Sequence, residues 1–196
     1  MKKKETVLAV FCSGFGSNFQ AIADAIRKKK LKRVRLALMV CDRPGAYAVQ
    51  RAHRAGIPVF VLSPRFFKTR QAYEKVVVRV LKSQKVDLIA LAGFMRILTP
   101  YFIRAYKNRI LNIHPSLLPA FKGAHAIRDA FVARVKETGV TVHLVTAKVD
   151  SGRILLQKKV KVSKNDTLAS LEKKIHRLEH TLYPLAISRF ARRPRS

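Results

Sequence analysis

The sequence predicts an α/β fold, a doubly wound and mostly parallel sheet with helices on both faces. Short apolar runs rich in β-branched residues alternate with segments whose apolar residues recur at helical spacing. Strands that are apolar throughout are typical of parallel sheets buried on both faces. Two longer strand-like runs around a turn, at residues 138–146 and 153–162, predict an antiparallel pair in the C-terminal half.

Each element has its own signal along the chain. The first strand, Thr6–Cys12, leads into a glycine-rich loop and then into a helix marked by Phe19, Ile22 and Ile26. Further strands are expected at residues 35–41, 59–62, 87–92 and 110–113, and further helices at residues 46–55, 69–83, 100–107 and 126–136.

Two helix starts carry capping signals. Thr99 followed by Pro100 is typical of an N-cap with proline in the first turn. Asp166 or Thr167 is expected to cap the last helix, which runs towards Phe190.

Length and composition indicate one domain, residues 1–196, with 48% hydrophobic residues to build its core. No apolar run approaches the roughly 20 residues of a membrane-spanning helix, so we expect no membrane partner. The basic N-terminus before an apolar run superficially resembles an export signal, but bulky Phe11 precedes the cysteine where a small residue is wanted. Cys12 and Cys41 form no disulfide framework and no metal spacing, and we expect both as buried thiols in a cytoplasmic protein.

The chain is strongly basic, with 41 Lys and Arg against 11 Asp and Glu and a formal charge of +30. Such a surface attracts anions and favours nonspecific binding of nucleic acid or other polyanions, with strong salt dependence. The densest run, residues 27–33, has no interleaved aromatic residues for base stacking. We therefore interpret it as a solvated basic surface, with an RNA-facing surface as the alternative.

An amide, an imidazole and a carboxylate are predicted to meet near one strand end. Asn112 can donate N–H bonds to a developing oxyanion, and His114, two residues later, can carry a proton. Asp150 lies in a turn between two later strands and is one of few carboxylates that could orient the imidazole. Together they suit acyl transfer. His143, within a strand, is either a partner of this group or a core histidine.

Residues 13–18 place two glycines and a serine between a strand and a helix N-terminus, where free backbone N–H groups favour a phosphate. The loop has neither the dinucleotide fingerprint nor the triphosphate-loop pattern, so a sugar monophosphate is the preferred ligand. Residues 176–180 fit the H-x-x-E-H pattern of zinc peptidases, but no acidic residue follows to complete a metal site. Glu179 is therefore interpreted as an acceptor for ligand hydroxyls, with an ion pair to a nearby Arg or Lys as the alternative.

Six motifs in order resemble the phosphoribosylglycinamide formyltransferase family over essentially the whole chain. They are SGFGSN at 13–18, LAGFMRIL at 91–98, LNIHPSLLP at 111–119, GVTVH at 139–143, VDSG at 149–152 and EHTLYP at 179–184. The resemblance implies the formyltransferase fold and transfer of a formyl group from 10-formyltetrahydrofolate, a co-substrate, to the amine of 5-phosphoribosylglycinamide in purine biosynthesis. It further implies direct attack through a tetrahedral intermediate and no metal.

The resemblance also implies roles for individual residues. The ribotide would be held by the backbone of Gly16, Ser17 and Asn18 and by Glu179 at its ribose hydroxyls. The folate would be contacted by Arg70, Met95, Arg96, Ile97, Leu98, Asn112 and Thr146, with the loop up to Asp150 closing over its pterin. In catalysis Asn112 would stabilise the oxyanion, His114 would support that charge and relay a proton to N10, and Asp150 would raise the basicity of His114 and position a water. Residues 1–110 would then be a phosphate-binding half and residues 111–196 a catalytic and folate half.

The chain departs from the family pattern beside Asp150, where Lys148 precedes and Arg153 follows the carboxylate. Cations favour an ionised carboxylate but disfavour a protonated His114, so we expect an altered rate.

Three other functions are alternatives. Methionyl-tRNA formyltransferases share the catalytic signature but resemble longer chains with a tRNA-binding domain, and formyltetrahydrofolate hydrolases carry an additional N-terminal domain. A basic RNA-binding module would leave the ordered motifs unexplained. We expect small-molecule partners and a monomer or homodimer.

Overall fold

The computed structural model describes residues 5–192, which form one seven-stranded sheet with helices on both faces. The strands are β1 (Thr6–Cys12), β2 (Val34–Cys41), β3 (Val59–Val61), β4 (Leu88–Leu91), β5 (Ile110–His114), β6 (Glu137–Leu144) and β7 (Ile154–Lys161). The helices are α1 (Ser17–Arg27), α2 (Tyr47–Arg54), α3 (Arg70–Ser83), α4 (Pro100–Ala105), α5 (Ala126–Val132) and α6 (Leu168–Ala191), with a short 3-10 turn at Pro64–Phe66.

The strand order is β3-β2-β1-β4-β5-β6-β7. Strands β1 to β5 pair in parallel, whereas β6 runs antiparallel to both β5 and β7. This confirms the predicted fold class, including its antiparallel pair. Since the chain winds outward from β1 to β3 and then returns to the other side of β1, the carboxyl ends of β1 and β4 border a crevice, the usual ligand position in such sheets.

Strand β1 shows why the sheet is buried on both faces. All seven of its residues are buried, and its side chains alternate between two hydrophobic clusters. Leu8 and Val10 join the cluster that includes residues of α1 and α6, whereas Ala9 and Phe11 join the one that includes residues of α3 and α4.

Most predicted bounds agree with the structure to within one or two residues, but α5 is shorter than predicted. It ends at Val132 instead of residue 136. Arg134 takes a left-handed conformation with φ 50°, and the carbonyl of Lys136 already accepts a hydrogen bond from Val162 N–H, 2.9 Å away. The end of the predicted helix is thus used to enter the sheet. The 3-10 turn at Pro64–Phe66 was not predicted.

The capping predictions are refined by the contacts. Thr167, and not Asp166, caps α6, in a reciprocal capping box with Ser170. Thr99 precedes α4 as predicted, but its hydroxyl bonds the Glu74 carboxylate instead of the helix backbone.

The two cysteines lie side by side, since Cys12 and Cys41 are paired residues of β1 and β2. Both are free and buried, as predicted. Burial raises the pKa of each thiol, which keeps both protonated and unreactive. Within residues 5–192, no helix combines the length and apolar character needed to cross a bilayer.

Candidate active site

Strand β5 positions Asn112 and His114. Ile110, Leu111 and Ile113 are buried and anchor the strand, and Asn112 pairs with Leu91, the last residue of β4. Residues two apart on a strand share a face. Asn112 and His114 therefore point to the same side, at the level where β4 ends.

The His114 ring is buried, with 4% of the residue exposed. Its Nε2 lies 2.7 Å from the carbonyl oxygen of Phe121, so Nε2 carries a proton, because a carbonyl can only accept. Its Nδ1 faces Asp150 Oδ2 at 3.4 Å. An imidazolium, with a proton on each nitrogen, would satisfy both neighbours.

Asp150 reaches this group because its loop turns back. Strand β6 ends opposite Leu111, yet Asp150 contacts a residue three positions further along β5. The turn needs Gly152, since a Cβ there would collide with the carbonyl oxygen of Leu144, and Asp150 itself has φ 45°. Gly123 N–H donates to Asp150 Oδ2 at 3.0 Å and fixes the carboxylate.

The pKa of Asp150 is held below its ordinary value. Burial raises this pKa, but the His143 ring, the Gly123 N–H and the charge of His114 together outweigh burial. Lys148 and Arg153, which the sequence marks as neighbours, are both exposed. The carboxylate is therefore ionised at neutral pH through its own contacts inside the site.

His143 belongs to this group as well as to the core. Only 2% of the residue is exposed. Its Nε2 lies 3.2 Å from Asn112 Nδ2 and 3.5 Å from Asp150 Oδ1, and its Nδ1 lies 2.9 Å from the Leu144 carbonyl oxygen. The two interpretations that the sequence left open both hold.

The predicted phosphate loop leads directly into α1. Gly16 is the N-cap, with φ 75°, and a Cβ at this position would lie 2.7 Å from the Cβ of Ala48. The N–H groups of the first helical turn, beginning at Ser17 and Asn18, have no acceptor within the helix. They present partial positive charge to an anion.

Arg51 supports this loop, a role that sequence reasoning missed. Its Nε donates to the Phe15 carbonyl oxygen at 3.0 Å, and its guanidinium lies 4.4 Å from the centre of the Phe15 ring. Phe15 in turn stacks on Tyr47. One arginine among 41 basic residues gives no sequence signal for such a contact.

Glu179 is brought to the phosphate loop by α6. Its Oε2 accepts from Asn18 Nδ2 at 3.0 Å and from His176 Nδ1 at 2.9 Å, and 4% of the residue is exposed. The alternative expected from the sequence was an ion pair between Glu179 and a nearby Arg or Lys. In the structure the partner of Glu179 is instead a histidine, His176. The hydrogen bond to Glu179 raises the pKa of His176.

The segment at residues 93–98 is joined to the phosphate loop. Ser13 N–H donates to the Gly93 carbonyl at 3.1 Å, and Met95 N–H donates to Ser13 Oγ at 2.9 Å. Met95 and Ile97 are 66% and 60% exposed, an apolar surface beside the crevice. Leu98 is buried, with 8% of the residue exposed.

Arg70, Arg96 and Thr146 are three more of the residues expected to contact the folate. Arg96 lies over the Tyr73 ring at 5.5 Å. Arg70 begins α3 and is exposed, and Thr146 is exposed with its hydroxyl bonded to the Lys148 carbonyl. Within residues 5–192, no hydrogen bond or ion pair joins Arg70 or Thr146 to His114 or Asp150.

A cavity of about 950 Å³ lies between α1 and α6 and opens beside the phosphate loop. Phe15, Ser17, Arg51 and His180 line its end near the loop. Among residues 5–192, the buried Nε2 of His180 finds no hydrogen-bond partner. In the described part of the chain, no three His, Cys, Asp or Glu residues are grouped as metal ligands.

Comparisons with known proteins agree with this arrangement. The family model described as formyl transferase matches residues 6–187. The phosphoribosylglycinamide formyltransferase of Bacillus subtilis is 44% identical over 179 residues, 91% of each chain. The trifunctional purine biosynthetic protein adenosine-3 of Drosophila melanogaster is 41% identical over 189 residues, which are 96% of this chain but 14% of that protein.

Solved structures give the same result. Glycinamide ribonucleotide transformylase 1 from Geobacillus kaustophilus is similar with a TM-score of 0.93 and 46% identity, covering 95% of this chain and 99% of that one. The phosphoribosylglycinamide formyltransferase from Bacillus halodurans is similar with a TM-score of 0.92 and 42% identity, covering 96% of both chains. With a family model that spans most of its length and relatives of this similarity, the chain belongs to the formyl transferase family.

Proposed function

We propose that this chain transfers the formyl group of 10-formyltetrahydrofolate to the amine of 5-phosphoribosylglycinamide, a reaction of purine biosynthesis. The observation that carries the proposal is the meeting of Asn112, His114 and Asp150 at the crevice beside a phosphate loop. The family membership supplies the formyl donor class, and the names of the similar proteins specify the acceptor.

The phosphate of the ribotide binds at the start of α1, to the backbone N–H groups of Gly16, Ser17 and Asn18. The helix dipole adds roughly half a positive charge there. Glu179 accepts hydrogen bonds from the ribose hydroxyls, and the Asn18 side chain supports this role because its bond to Glu179 fixes the carboxylate beside the loop.

The folate binds against the exposed apolar side chains of Met95 and Ile97 and the backbone of Leu98. Arg70, Arg96 and Thr146 complete this site. The loop that carries Thr146 and Asp150 closes over the pterin. Residues 1–110 supply the phosphate site and residues 111–196 the catalytic group, although Glu179 and the 95–98 segment cross that division.

The reaction is a direct attack of the ribotide amine on the formyl carbon. A C–N bond forms, the formyl oxygen becomes an oxyanion and the amine nitrogen becomes positively charged; the amine then gives up one proton, the C=O bond re-forms, and the bond to N10 of the folate breaks as N10 gains a proton. Asn112 donates an N–H bond to the oxyanion, and the His114 imidazolium adds positive charge next to it. One oxyanion donor of this kind typically contributes about 10²–10³ in kcat.

The proton for N10 passes through the His114 and Asp150 pair. Both nitrogens of His114 already face partners, Phe121 and Asp150. Relay of a proton to N10 therefore requires the Phe121 contact to open, or a water held by Asp150 to carry the proton.

The test of the function is a comparison of acceptors. The protein is given 10-formyltetrahydrofolate with 5-phosphoribosylglycinamide, with methionyl-tRNA or with water alone, and release of tetrahydrofolate is followed. We expect turnover with the ribotide. Turnover only with the tRNA, or equal turnover in water, would instead assign the chain to one of the two related activities.

A further inference from the structure

Asn112 and His143 are held face to face by the sheet. They are directly paired residues of the antiparallel strands β5 and β6, and Asn112 Nδ2 lies 3.2 Å from His143 Nε2. The ring is 2% exposed and cannot turn towards solvent. The Asn112 amide therefore has a fixed neighbour within the protein, the His143 ring.

The Leu144 carbonyl determines which nitrogen of His143 carries the proton. Its oxygen lies 2.9 Å from Nδ1, and a carbonyl only accepts, so the hydrogen is on Nδ1. In the neutral ring Nε2 then has a lone pair and must accept. The –NH₂ group of Asn112, which can only donate, provides the hydrogen bond that Nε2 accepts.

We infer that His143 is a positioning residue that fixes the orientation of the Asn112 amide, so that one N–H is held by the ring and the other points to the formyl oxygen. This inference rests on the proposed function. With the amide turned over, its oxygen would face the lone pair of Nε2, and the oxyanion would meet an acceptor instead of a donor. The orientation of Asn112 is thus set by a chain of contacts that begins at the Leu144 backbone.

His143 also contacts Asp150, and a role in positioning that carboxylate is the alternative to a role in positioning Asn112. Nε2 is also 3.5 Å from Asp150 Oδ1, and through this contact the ring helps to lower the pKa of the carboxylate, but the distance exceeds that of a good hydrogen bond and the 3.2 Å contact with Asn112 is the closer one. If His143 acted mainly on Asp150, a proton would have to sit on Nε2, and the ring could no longer accept from Asn112. The two roles exclude each other, which allows an experiment to separate them.

The experiment compares His143→Gln with His143→Asn and His143→Leu. A glutamine amide oxygen can reach the place of Nε2 and accept from Asn112, whereas an asparagine reaches only the place of Nδ1. We expect kcat to fall about 10²-fold in His143→Asn and His143→Leu, while the KM of the ribotide changes less than about threefold. The kcat of His143→Gln should be at least about tenfold higher than that of His143→Asn. If folded His143→Gln is no better than His143→Asn, the inference is wrong. Since this comparison needs only the two amide variants, it remains decisive even if His143→Leu does not fold.

A double substitution tests whether His143 acts through Asn112. In an Asn112→Ala background there is no amide to orient, so adding His143→Asn should leave the residual kcat unchanged within about twofold. A further loss as large as that seen with Asn112 present would assign His143 to Asp150 or to folding. All variants are assayed with the acceptor that the wild-type protein uses, so a failure of the ribotide assignment appears in the wild type before any variant is compared.

Discussion

Asn112 and His114 differ in how each is constrained. Within residues 5–192 the Asn112 amide has one side-chain partner, His143, which leaves an N–H for a ligand. His114 is enclosed by Phe121 and Asp150. This difference agrees with the proposed roles, in which the amide meets the substrate and the imidazole takes part in proton transfer.

Replacing either residue should remove catalysis and leave ribotide binding. Asn112→Ala should lower kcat about 10²–10³-fold, because one oxyanion donor is lost, and His114→Ala should also abolish most turnover. The phosphate loop is untouched in both, so the Kd of the ribotide, measured by calorimetry, should change less than about threefold. Loss of the folded circular dichroism spectrum in both variants would make them structural residues instead.

His176 gives a pH dependence that can be measured as stability. Its pKa is raised above the ordinary histidine value of 6.5, mainly by the hydrogen bond to Glu179. A raised pKa in the folded state contributes stability that is fully present below pH 6.5 and is lost as pH rises through the folded pKa.

The difference in Tm between the wild type and His176→Gln should therefore be largest at pH 6 and shrink towards pH 9. His53→Gln, which changes an exposed histidine of α2, is the control. A Tm difference for His176→Gln that stays constant across this range would contradict the assigned cause.

Strands and helices position the site more than any single contact does. Helix α6 supplies Glu179 to the phosphate loop and, one turn later, buried Tyr183, whose hydroxyl lies 2.9 Å from the Leu91 carbonyl and 3.0 Å from the Leu111 carbonyl. This hydroxyl lies between β4 and β5 next to Asn112. The helix thus fixes both the loop proposed to hold the ribotide and the strand that carries Asn112 and His114.

Tyr183→Phe should test this connection. Removing the hydroxyl leaves two buried carbonyls without this donor, at a cost of about 1–3 kcal/mol in the free energy of unfolding. Tyr101→Phe, at a partly exposed tyrosine of α4, should cost much less. Equal losses measured by urea denaturation would show that the buried contact contributes nothing.

The elements were predictable where local signals and tertiary structure agree. Strand β1 is apolar throughout because both of its faces are buried. The end of α5 was mispredicted because residues 133–136 are compatible with a helix. The helix has to stop earlier because the carbonyl of Lys136 accepts a hydrogen bond from Val162, the residue after β7. The site was predictable in its residue types. The return of Asp150 to His114 and the contacts of Arg51 and Phe121 depend on loop paths that no local pattern encodes.

The whole molecule carries a formal charge of +30, and both of its expected substrates are anionic. A field of this sign concentrates anions near the crevice, and salt screens it with a Debye length of about 10 Å at 0.1 M. The charge should therefore affect capture of substrate more than the chemical step.

Raising KCl from 20 to 300 mM, on the order of a fourfold shortening of the Debye length, should raise the KM of the ribotide several-fold and leave kcat at saturation nearly unchanged. Viscosity-matched sucrose is the control for effects other than ionic strength. A KM that does not respond to salt would show that binding depends on the hydrogen bonds at α1 alone.

Formyl transfer is measured most directly by following the formyl carbon. The protein is mixed with 10-formyltetrahydrofolate labelled with ¹³C at the formyl group and with 5-phosphoribosylglycinamide, and the label is observed by NMR. We predict a new formamide ¹³C signal, which is split by the amine nitrogen when the ribotide carries ¹⁵N there, formed with the wild type and strongly slowed in Asn112→Ala. Label that appears only as free formate, or that stays on the folate, would show that the chain does not formylate the ribotide.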